Sequence, residues 1–499
     1  MGVPGMFMWI LKKYKSSILL SHLPSKPKYL YIDANSLFHP ICAEHETESQ
    51  MFSAIITYIN NLYILTNPDF MFIAVDGVAP VAKIVQQRLR RYKSYYENQI
   101  KNKLKDEYNI PYNKSWSSLL ITPGTEFMEK LHNVLLSHYS DKPNIYYSSY
   151  HEFGEGEHKI LQHIKQNSLE LDNIVIYGLD ADLIFLALVN KCSNIFLLRD
   201  NILEHKGFVY MSISVVKHFY LTELTKLIKY TNLDHTKLIQ DFIFICFLLG
   251  NDFLPHLPSI NIYNGGLDKI INVYTECFNI LNEYLINNKQ FLLMLFQKLS
   301  VNEFNIITTP IINTKKPQNL DDYNTKLFEF DNLKHIQQIN IYKDITNFSD
   351  FKNIYYSHYF SFNNPSFISM TCQKYIEGLF WISEYYFDKC HDYKWYYLFN
   401  HAPLLSDICT WLESNTLNFK FIDNPPLTYV QQLLIVIPPQ VNHILPTKYQ
   451  HLNSNKKISY MFPFTFEFDY INKLFLWQCQ PILPILNLQK IIDITSKIK

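Results

Sequence analysis

Three short apolar segments end in an aspartate, and this pattern constrains the fold more than any other feature of the sequence. The segments are 29–33, 70–76 and 174–180, and a helical pattern follows each of them. Near-continuous apolar strands that alternate with helices are typical of a mainly parallel sheet covered by helices on both faces. Ligands of such sheets bind at the carboxyl ends of the strands. The sequence therefore predicts an α/β fold with its functional site at that edge.

The remainder of the chain divides by composition. We predict a core over residues 1–300, which carries the strand-like segments and ends in a mostly helical stretch. Residues 301–350 are rich in Asn, Thr, Lys and Asp with weak periodicity, which indicates a linker or an insertion. Residues 351–499 begin aromatic and helical and then carry frequent prolines between short apolar runs. We predict that this last part forms a second region beside the core.

Overall composition excludes several classes of protein. The 45 basic and 45 acidic residues cancel, so a nucleic-acid partner would need a local basic cluster. The eight cysteines include no C-x-x-C pair, which argues against a zinc module or a disulfide framework. No uninterrupted apolar run reaches the roughly 18 residues of a membrane span. These features predict a soluble intracellular protein.

Seven carboxylates fall at the ends of strands or helices. Clustered carboxylates repel one another unless cations neutralise them, and hard oxygen ligands suit Mg²⁺ or Mn²⁺. Two such ions can activate water and stabilise the leaving oxygen in phosphodiester hydrolysis, so the sequence predicts a two-metal site. For any single aspartate, capping a helix after a strand is an equally good explanation. The seven residues are Asp33, Asp76, Glu155, Glu157, Asp180, Asp182 and Asp252.

A basic helix is predicted directly after Asp76. Gly77 to Pro80 form a turn, and Pro80 is placed to begin a helix. Between residues 83 and 105 there are eight Lys or Arg and one acid. Helical spacing puts three cations and an amide on one face, which would bind a terminal phosphate. The alternative is a solvated basic helix. The four residues of this face are Lys83, Gln87, Arg90 and Arg91.

The order of these blocks resembles that of a known family. The blocks include Asp33-Ala34-Asn35-Ser36 with His39, Asp76 through Arg91, and Gly154-Glu155-Gly156-Glu157-His158-Lys159. Others are 1–4, 121–128, 178–183 and 250–255, followed by 377–381, 395–397 and 401–403. Together they resemble the XRN family of 5′-to-3′ exoribonucleases. The resemblance spans nearly the whole chain apart from residues 301–350. It implies a core like that of PIN-domain and flap nucleases, with a helical, aromatic-rich second region packed against it to complete the active-site pocket.

The resemblance also implies an activity. Such an enzyme uses two Mg²⁺ ions, or Mn²⁺, to remove nucleotides processively from single-stranded RNA with a 5′ monophosphate. It implies that the seven carboxylates are the catalytic metal ligands and that the basic face binds the 5′ phosphate. The leading bases would stack between His39 and a tryptophan, either Trp381, which we prefer, or Trp395. We further expect a monomer that acts after a decapping enzyme, in the cytoplasm or the nucleus.

The sequence departs from the family pattern at its entrance. Gly5, Met6 and Met8 replace two basic residues and an aromatic, and Phe153 replaces a proline. Neither change touches a predicted metal ligand or the basic face. The chain also lacks the C-terminal domains of the large cytoplasmic members and the zinc knuckle of many nuclear ones, so we expect a minimal catalytic core.

Two other functions fit parts of the pattern. A flap-endonuclease-like DNA nuclease also gathers carboxylates on a related sheet, but it would be expected to carry a helix-hairpin-helix element, and no Gly-rich hairpin follows Asp252. An RNA 5′-end binding protein without catalysis would keep the basic face. Such a protein would gain nothing from seven mutually repelling acids.

Overall fold

A seven-stranded sheet forms the centre of the protein. The structure, a computed structural model, describes residues 3, 5–111, 116–167, 169, 172–192, 194–200, 207–262, 265–309, 320–336 and 340–498. The strands lie in the order β1-β7-β6-β5-β2-β3-β4. Their bounds are β1 Leu19–Leu20, β2 Tyr29–Asp33, β3 Phe70–Ala74, β4 Ile145–Ser148, β5 Ile174–Tyr177, β6 Ile195–Asp200 and β7 Phe208–Ser212.

Most neighbouring strands run parallel. Strand β2 pairs in parallel with both β3 and β5, and β4 and β6 extend the parallel set on either side. At one edge of the sheet, β7 pairs antiparallel with both β6 and β1, so β7 runs opposite to its two neighbours. In register, Asp33 lies beside Ala74, and Ile32 lies beside Tyr177. The carboxyl ends of β2, β3 and β5 therefore meet at one edge, which confirms the predicted mainly parallel α/β sheet.

Helices cover both faces of the sheet and form the second region. Among the described residues, no helix is both long enough and apolar enough to cross a membrane. The α-helices are α1 Met6–Ile18, α2 Asn35–Ala43, α3 Glu48–Thr66, α4 Val81–Glu107, α5 Glu126–Tyr139, α6 Gly156–Gln166, α7 Asp182–Val189, α8 Ile213–Leu227, α9 His235–Phe247, α10 Gly266–Leu281, α11 Lys289–Ser300, α12 Glu303–Thr308, α13 Asp322–Asp331, α14 Phe348–Phe360, α15 Pro365–Phe387, α16 Leu405–Ser414, α17 Tyr429–Val436 and α18 Leu488–Thr495. Short 3₁₀ helices span Ser118–Leu120, Pro439–Ile444, Thr447–Ser454, Ser459–Met461 and Leu476–Gln478.

Alternating strand residues separate two apolar cores. On β2, Tyr31 faces one core, whereas Leu30 and Ile32 face the other. The first core takes in helices α1 and α6 to α11, and the second takes in α2, α3 and α5. Because strand side chains alternate between the faces, a continuously apolar strand requires helices on both sides. The layers follow directly from the apolar strand sequences.

The second region shares a core with the first. Buried residues of α14, α15 and α16 belong to the same apolar core as α9 to α11. Helix α17 packs instead on the first half of α4, where Val81 and Ile84 meet Leu433 and Leu434. The prediction that a helical, aromatic-rich region packs against the nuclease-like core is therefore confirmed. The division at residues 300 and 350 stays a prediction.

The segment predicted as a linker contains ordered helices. Helices α12 and α13 lie within residues 301–350. The buried carboxylate of Glu303 accepts hydrogen bonds from the backbone N–H groups of Leu405 (2.7 Å) and Ser406 (3.2 Å), at the start of α16. A carboxylate at a helix N-terminus satisfies donors that have no partner within the helix. Residues 310–319 and 337–339 of the predicted linker lie outside the described residues, as do Met1, Gly2 and Pro4 of the first block.

Candidate active site

Three strand ends place four of the predicted carboxylates. Asp33 is the last residue of β2, Asp76 comes two residues after β3, and Asp180 comes three residues after β5. Asp182 opens α7 and is only 1% exposed, whereas Asp180 is half-buried. Parallel pairing brings these ends to one edge, and the near-absence of solvent there makes each charge costly unless it is compensated.

Neighbouring polar side chains fix the first two carboxylates. The Ser36 hydroxyl donates to Oδ2 of Asp33 (2.6 Å) and accepts from the Leu179 backbone N–H (3.4 Å). Oδ1 of Asn35 accepts a hydrogen bond from the backbone N–H of Asp76 (3.0 Å). The Asn35-Ser36 dipeptide at the start of α2 thus ties the ends of β2, β3 and β5 together.

The start of α6 brings two further carboxylates. Glu155 immediately precedes the helix, Glu157 lies in its first turn, and both side chains are buried. Between them, the backbone N–H of Gly156 donates to Oδ1 of Asp76 (2.7 Å). The hydroxyl of Tyr385, from α15, donates to Oε1 of Glu155 (2.6 Å). A residue of the second region therefore takes part in ordering the carboxylates of the first.

The seventh carboxylate follows α9. Gly250 adopts a positive φ of 87° as the chain turns out of the helix. Oδ1 of Asn251 then accepts from the backbone N–H groups of Phe253 and Leu254 (2.9 Å each). This turn directs Asp252 into the cluster, where its Oδ2 lies 2.7 Å from Nζ of Lys83. All seven predicted carboxylates therefore lie at or beside the carboxyl edge of the sheet.

Lys83 lies among the carboxylates instead of on an open basic face. Its Nζ is 2.6 Å from Oε2 of Glu155 and 2.7 Å from Oδ2 of Asp252, and the side chain is buried. Lys83 belongs to the first turn of α4, which begins only five residues after Asp76, so this turn is still close to the edge that carries the carboxylates. The predicted phosphate-binding face therefore divides, with its first member serving as a counter-ion to the acids.

Burial and mutual repulsion perturb the acids. Burial and the nearby Asp76 raise the pKa of Asp33 to about 8. Burial and Asp182 raise the pKa of Glu157 well above its ordinary value, and burial with Asp252 raises that of Asp182 to about 6. Burial opposes ionisation of Asp252 as well, yet its ion pair with Lys83 lowers its pKa to about 2. Without added cations, the cluster therefore gathers more acids than Lys83 alone can keep ionised.

The donor set fits divalent cations. Among the described residues, Oδ1 of Asp182 is buried without a hydrogen-bond partner. Ligand atoms of Glu155, Glu157 and His158 lie within 4.8 Å of one another. Oxygen-rich sets of this kind suit Mg²⁺ or Mn²⁺, and a bound cation would neutralise carboxylates that otherwise repel. The imidazole of His158 stacks on Tyr385 with ring centroids 3.8 Å apart, and burial lowers its pKa to about 3, so it stays neutral.

The rest of the basic face lies further along α4. Arg90 is exposed, whereas Arg91 is buried and points its guanidinium at the carbonyls of Leu119 (3.5 Å) and Ile121 (3.4 Å). Both contacts are long for charge-assisted hydrogen bonds. Burial and the adjacent Arg90 lower the pKa of Arg91 to about 9. Gln87 is buried and accepts from Nε2 of Gln432 (3.5 Å). Such weak partners leave these donors available to an anion.

His39 lies beside this basic group. The residue is exposed and belongs to α2, which begins two residues after Asp33. Surrounding protein nevertheless desolvates its imidazole, and the charges of Arg90 and Arg91 add repulsion, so its pKa falls to about 4. A neutral, exposed ring between the arginines and the carboxylates has the properties that base stacking requires.

The two tryptophans lie in the core. Trp381 is 2% exposed and Trp395 is 7% exposed, and the two rings stack with centroids 4.9 Å apart. Trp381 also stacks on Tyr385 (5.3 Å) and donates its indole N–H to the carbonyl of Asp392 (2.9 Å). Trp395 donates its indole N–H to Oε1 of Glu377 (2.8 Å). Both rings therefore serve in core packing in this structure, and stacking of either one on a base stays a prediction.

The sequence patterns did not predict a role for three residues of the site. Tyr385, Asn35 and Gln432 each hydrogen-bond to a site residue or to its backbone. Asn35 lies two residues after Asp33, inside a block that resembles the family, and this position was a usable signal. Tyr385 and Gln432 are hundreds of residues from their partners in sequence, and only the folded chain brings them together.

Comparison with known proteins gives the family. The model described as "XRN 5'-3' exonuclease N-terminus" matches residues 1–201. The model described as "Xrn1 helical domain" matches residues 232–344 and 347–499, which is more than half of the chain. Residues 202–231, between the two matches, include β7 and α8.

Several curated proteins are similar along the whole chain. The human protein named 5'-3' exoribonuclease 1 is 27% identical and aligns with 99% of this chain, which covers 34% of that protein. The Candida albicans 5'-3' exoribonuclease 2 is 25% identical over 100% of this chain and 72% of its own length. The Saccharomyces cerevisiae 5'-3' exoribonuclease 1 is 25% identical over 99% of this chain and 43% of its own length. The chain thus spans about a third to three quarters of these relatives.

A solved structure of the phage T5 D15 protein with metal ions aligns with 56% of this chain and 87% of its own, at 13% identity. Its TM-score is 0.30, too low to support a conclusion about function. The two family models, by contrast, cover both the sheet with its carboxylates and the helical region that supplies Tyr385. The chain belongs to the XRN family of 5′–3′ exonucleases.

Proposed function

We propose that the protein is a 5′-to-3′ exoribonuclease that hydrolyses single-stranded RNA from a 5′-monophosphate end with the help of two Mg²⁺ ions. The observation that carries the proposal is the cluster of seven acids directly beside the arginines of α4, in a chain of this family. A metal-dependent hydrolytic centre next to an anion-binding helix is the combination needed to cut a chain at its end. Names of the relatives support the same activity.

The carboxylates would hold the ions, which when bound activate water and stabilise negative charge on the phosphate. Buried Asp33, Glu157 and Asp182 and half-buried Asp76 have no cationic partner at hydrogen-bond distance among the described residues, so they are the strongest candidates for ligands. Half-buried Asp180 lies at the solvent side of the same cluster. Tyr385 holds the Glu155 carboxylate in one orientation through its hydroxyl.

End recognition would come from α4 and α2. Arg90 and Arg91 would bind the terminal phosphate, which needs strong donors that are only weakly engaged in the free protein. His39, kept neutral by desolvation from the surrounding protein and by these arginines, would stack on the leading base. Stacking contributes roughly 1–3 kcal/mol per base without reading its identity, which suits an enzyme that must degrade any sequence.

An enzyme with this preference depends on other activities to expose its substrate. A decapping enzyme would supply monophosphate ends, and the cytoplasm is where we place the reaction, as part of mRNA decay. We expect the protein to act as a monomer, because the carboxylates and the arginines come from the same chain. A sedimentation measurement at micromolar concentration would test this state directly.

The test of the proposed function is a time course with Mg²⁺ on one RNA sequence that bears a 5′ monophosphate, hydroxyl, triphosphate or cap. Mononucleotides released only from the monophosphate RNA, and abolished by Asp180→Ala with RNA binding retained, would support the proposal. Internal fragments or a preference for branched DNA would indicate a flap-endonuclease-like enzyme. Tight binding to monophosphate RNA with no product would indicate a 5′-end binding protein.

A further inference from the structure

The ammonium group of Lys83 lies between two of the seven clustered acids. Its Nζ lies within 2.7 Å of one oxygen each from Glu155 and Asp252, and the aromatic ring of Phe253 lies 5.9 Å away. These two carboxylates come from different parts of the chain, the start of α6 and the turn after α9. An ammonium group here performs the neutralising role that a divalent ion would perform between the same oxygens.

The remaining acids form a separate group. Oδ1 atoms of Asp33 and Asp76 both lie within 3.3 Å of the point where a Cβ on Gly156 would stand, so these carboxylates are close neighbours. Asp182, with its unpartnered Oδ1, is close enough to Glu157 for their charges to repel. These four acids have no cation of the chain at hydrogen-bond distance among the described residues. One ion could therefore bind to this group without disturbing Lys83.

We propose that Lys83 keeps a second divalent ion out of the site until the 5′ phosphate of the RNA draws its ammonium group away from Glu155 and Asp252. The inference rests on the proposed function and specifies how that site is regulated. In this arrangement the complete two-ion centre assembles only when a 5′-phosphorylated end is in place. The same lysine thereby links recognition of the end to readiness for hydrolysis.

The position of Lys83 on α4 makes this exchange feasible. Lys83 lies one turn before Gln87 and two turns before Arg90 and Arg91, on the same side of the helix. A terminal phosphate carries between one and two negative charges at neutral pH and accepts several hydrogen bonds. The flexible four-carbon stem of lysine lets its ammonium group move between acceptors without backbone movement. The phosphate would thus compete with the two carboxylates for one cation.

Regulation of this kind would prevent hydrolysis of nucleic acid that has no 5′ phosphate in the site. With Lys83 between Glu155 and Asp252, the site lacks the second of the two ions that this hydrolysis needs. RNA that enters without a 5′ phosphate, or DNA that lies across the site, would not release the lysine. Discrimination between ends would then arise in the rate of cleavage as well as in binding.

The first experiment counts ions bound to the wild-type protein by Mn²⁺ electron paramagnetic resonance, without measuring cleavage. The probes are an RNA oligonucleotide with a 5′ monophosphate and a non-hydrolysable first linkage, and the same oligonucleotide with a 5′ hydroxyl. We expect one ion per chain in the free protein and with the hydroxyl RNA, and two with the phosphorylated RNA. Two ions in the free protein, or an unchanged count with the phosphorylated RNA, would overturn the inference.

The second experiment removes the positive charge of Lys83. Lys83→Met should bind two ions without RNA, whereas Lys83→Arg, which keeps the charge, should bind one. Lys103→Met removes one charge from the exposed far part of the same helix and should behave as wild type. If Lys83→Met also binds a single ion, Lys83 is not what excludes the second. Circular dichroism would establish that each variant is folded, and the wild-type titration above tests the inference even where a variant is not.

The outcomes separate this inference from the proposed function. If the protein degrades RNA from its 5′ end but binds two ions with or without phosphorylated RNA, the proposed exoribonuclease activity is supported and the proposed role of Lys83 is wrong. If the number of bound ions rises with the phosphorylated oligonucleotide but no RNA is degraded, the proposed movement of Lys83 is supported and the proposed nuclease activity is wrong.

Discussion

Gly156 donates its backbone N–H to Oδ1 of Asp76 over 2.7 Å, at the point where α6 meets the carboxyl edge of the sheet. A Cβ at this residue would stand 2.8 Å from Oδ1 of Asp33 and 3.3 Å from Oδ1 of Asp76. Because these atoms belong to short side chains held by their own hydrogen bonds, a methyl group would displace the carboxylates themselves. The absence of a side chain at residue 156 is therefore a requirement of the site.

Gly156→Ala should weaken binding of Mn²⁺ by about 10- to 100-fold, as is typical when the groups that orient metal ligands are lost. The effect on folding should be smaller, because alanine is a better helix former than glycine in the first turn of α6. Isothermal titration with Mn²⁺ would measure the affinity. Gln162→Ala, on an exposed position of the same helix, is the control and should bind Mn²⁺ as wild type does. Unchanged affinity in Gly156→Ala would show that the carboxylates have room to rearrange.

Tyr385→Phe tests how far the second region contributes to the site. The change removes only the hydroxyl that donates to Oε1 of Glu155 and keeps the ring that stacks on His158 and Trp381. With one donor lost, the carboxylate gains freedom to rotate, and we expect the rate of RNA hydrolysis to fall by about 10- to 100-fold. Single-turnover cleavage of 5′-monophosphate RNA would measure it.

Tyr355→Phe provides a matched control for that variant. Its hydroxyl donates to the carbonyl of Ala402 (2.7 Å) within the same buried core, away from the acids. It should lose stability of about 1 kcal/mol, the usual scale for one hydrogen bond, with cleavage unaffected in the folded protein. Equal losses of activity in both variants would mean that Tyr385 acts through stability alone.

Much of the metal-binding edge follows from local sequence. The strands that carry Asp33, Asp76 and Asp180 are apolar throughout, and parallel pairing leaves their ends no other place to meet. The acids of α6 and the turn after α9 stand in the sequence beside glycines that permit a tight approach, as Gly156 and Gly250 do. Local pattern and strand topology together were sufficient for this part of the site.

The partners of those residues were not predictable in the same way. Helical spacing puts Lys83 and Arg90 on one side of α4. It does not predict which residues contact each turn, and in the structure Lys83, in the first turn, contacts buried carboxylates. Aromatic residues suit both stacking on bases and core packing, so only burial separates exposed His39 from buried Trp381. Contacts such as Tyr385 with Glu155 join residues far apart in sequence and depend on the packing of α15.

Arg90→Ala should erode the preference for a 5′ phosphate. Arg90 is the exposed member of the basic group beside His39, so its loss removes a donor to the terminal phosphate without opening a buried cavity. Cleavage of monophosphate RNA should slow by about tenfold, the scale of one charge-assisted hydrogen bond, while cleavage of hydroxyl RNA stays at its low level. Competition between the two RNAs in one tube would measure the ratio.

Lys103→Ala is the control for this effect. It removes one positive charge from the far end of the same helix, where it weakens only general attraction for RNA. Its preference for monophosphate ends should therefore equal that of wild type. A similar loss of preference in both variants would assign the effect to overall charge, and the phosphate pocket would have to lie elsewhere.

The stability of the metal-free protein should fall as pH rises from about 6.5 to 8. Burial raises the pKa of Asp33 to about 8, and burial also raises the pKa values of Asp76 and Glu157. Within this window the folded protein keeps protons that the unfolded chain, with ordinary carboxyl groups, has already released. Because the folded state binds more protons, the free energy of unfolding decreases with increasing pH, by up to about 1.4 kcal/mol per pH unit from Asp33 alone.

Groups whose pKa is lowered act in the opposite direction, mainly below and above that window. The lowered pKa of His39, about 4, makes folding more favourable as pH rises towards 6.5, and the lowered pKa of Lys159, about 8, does so above pH 8.

Urea unfolding in EDTA, followed by tryptophan fluorescence at several pH values, would measure how the stability changes with pH. Asp33→Asn should reduce this change, because the amide does not titrate. Mg²⁺ should reverse it, because ions bind the deprotonated acids and stabilise the folded state more as pH rises. A metal-free protein that gains stability between pH 6.5 and 8 would contradict the raised pKa values of the acids, and with them the idea that the site needs cations supplied from solution.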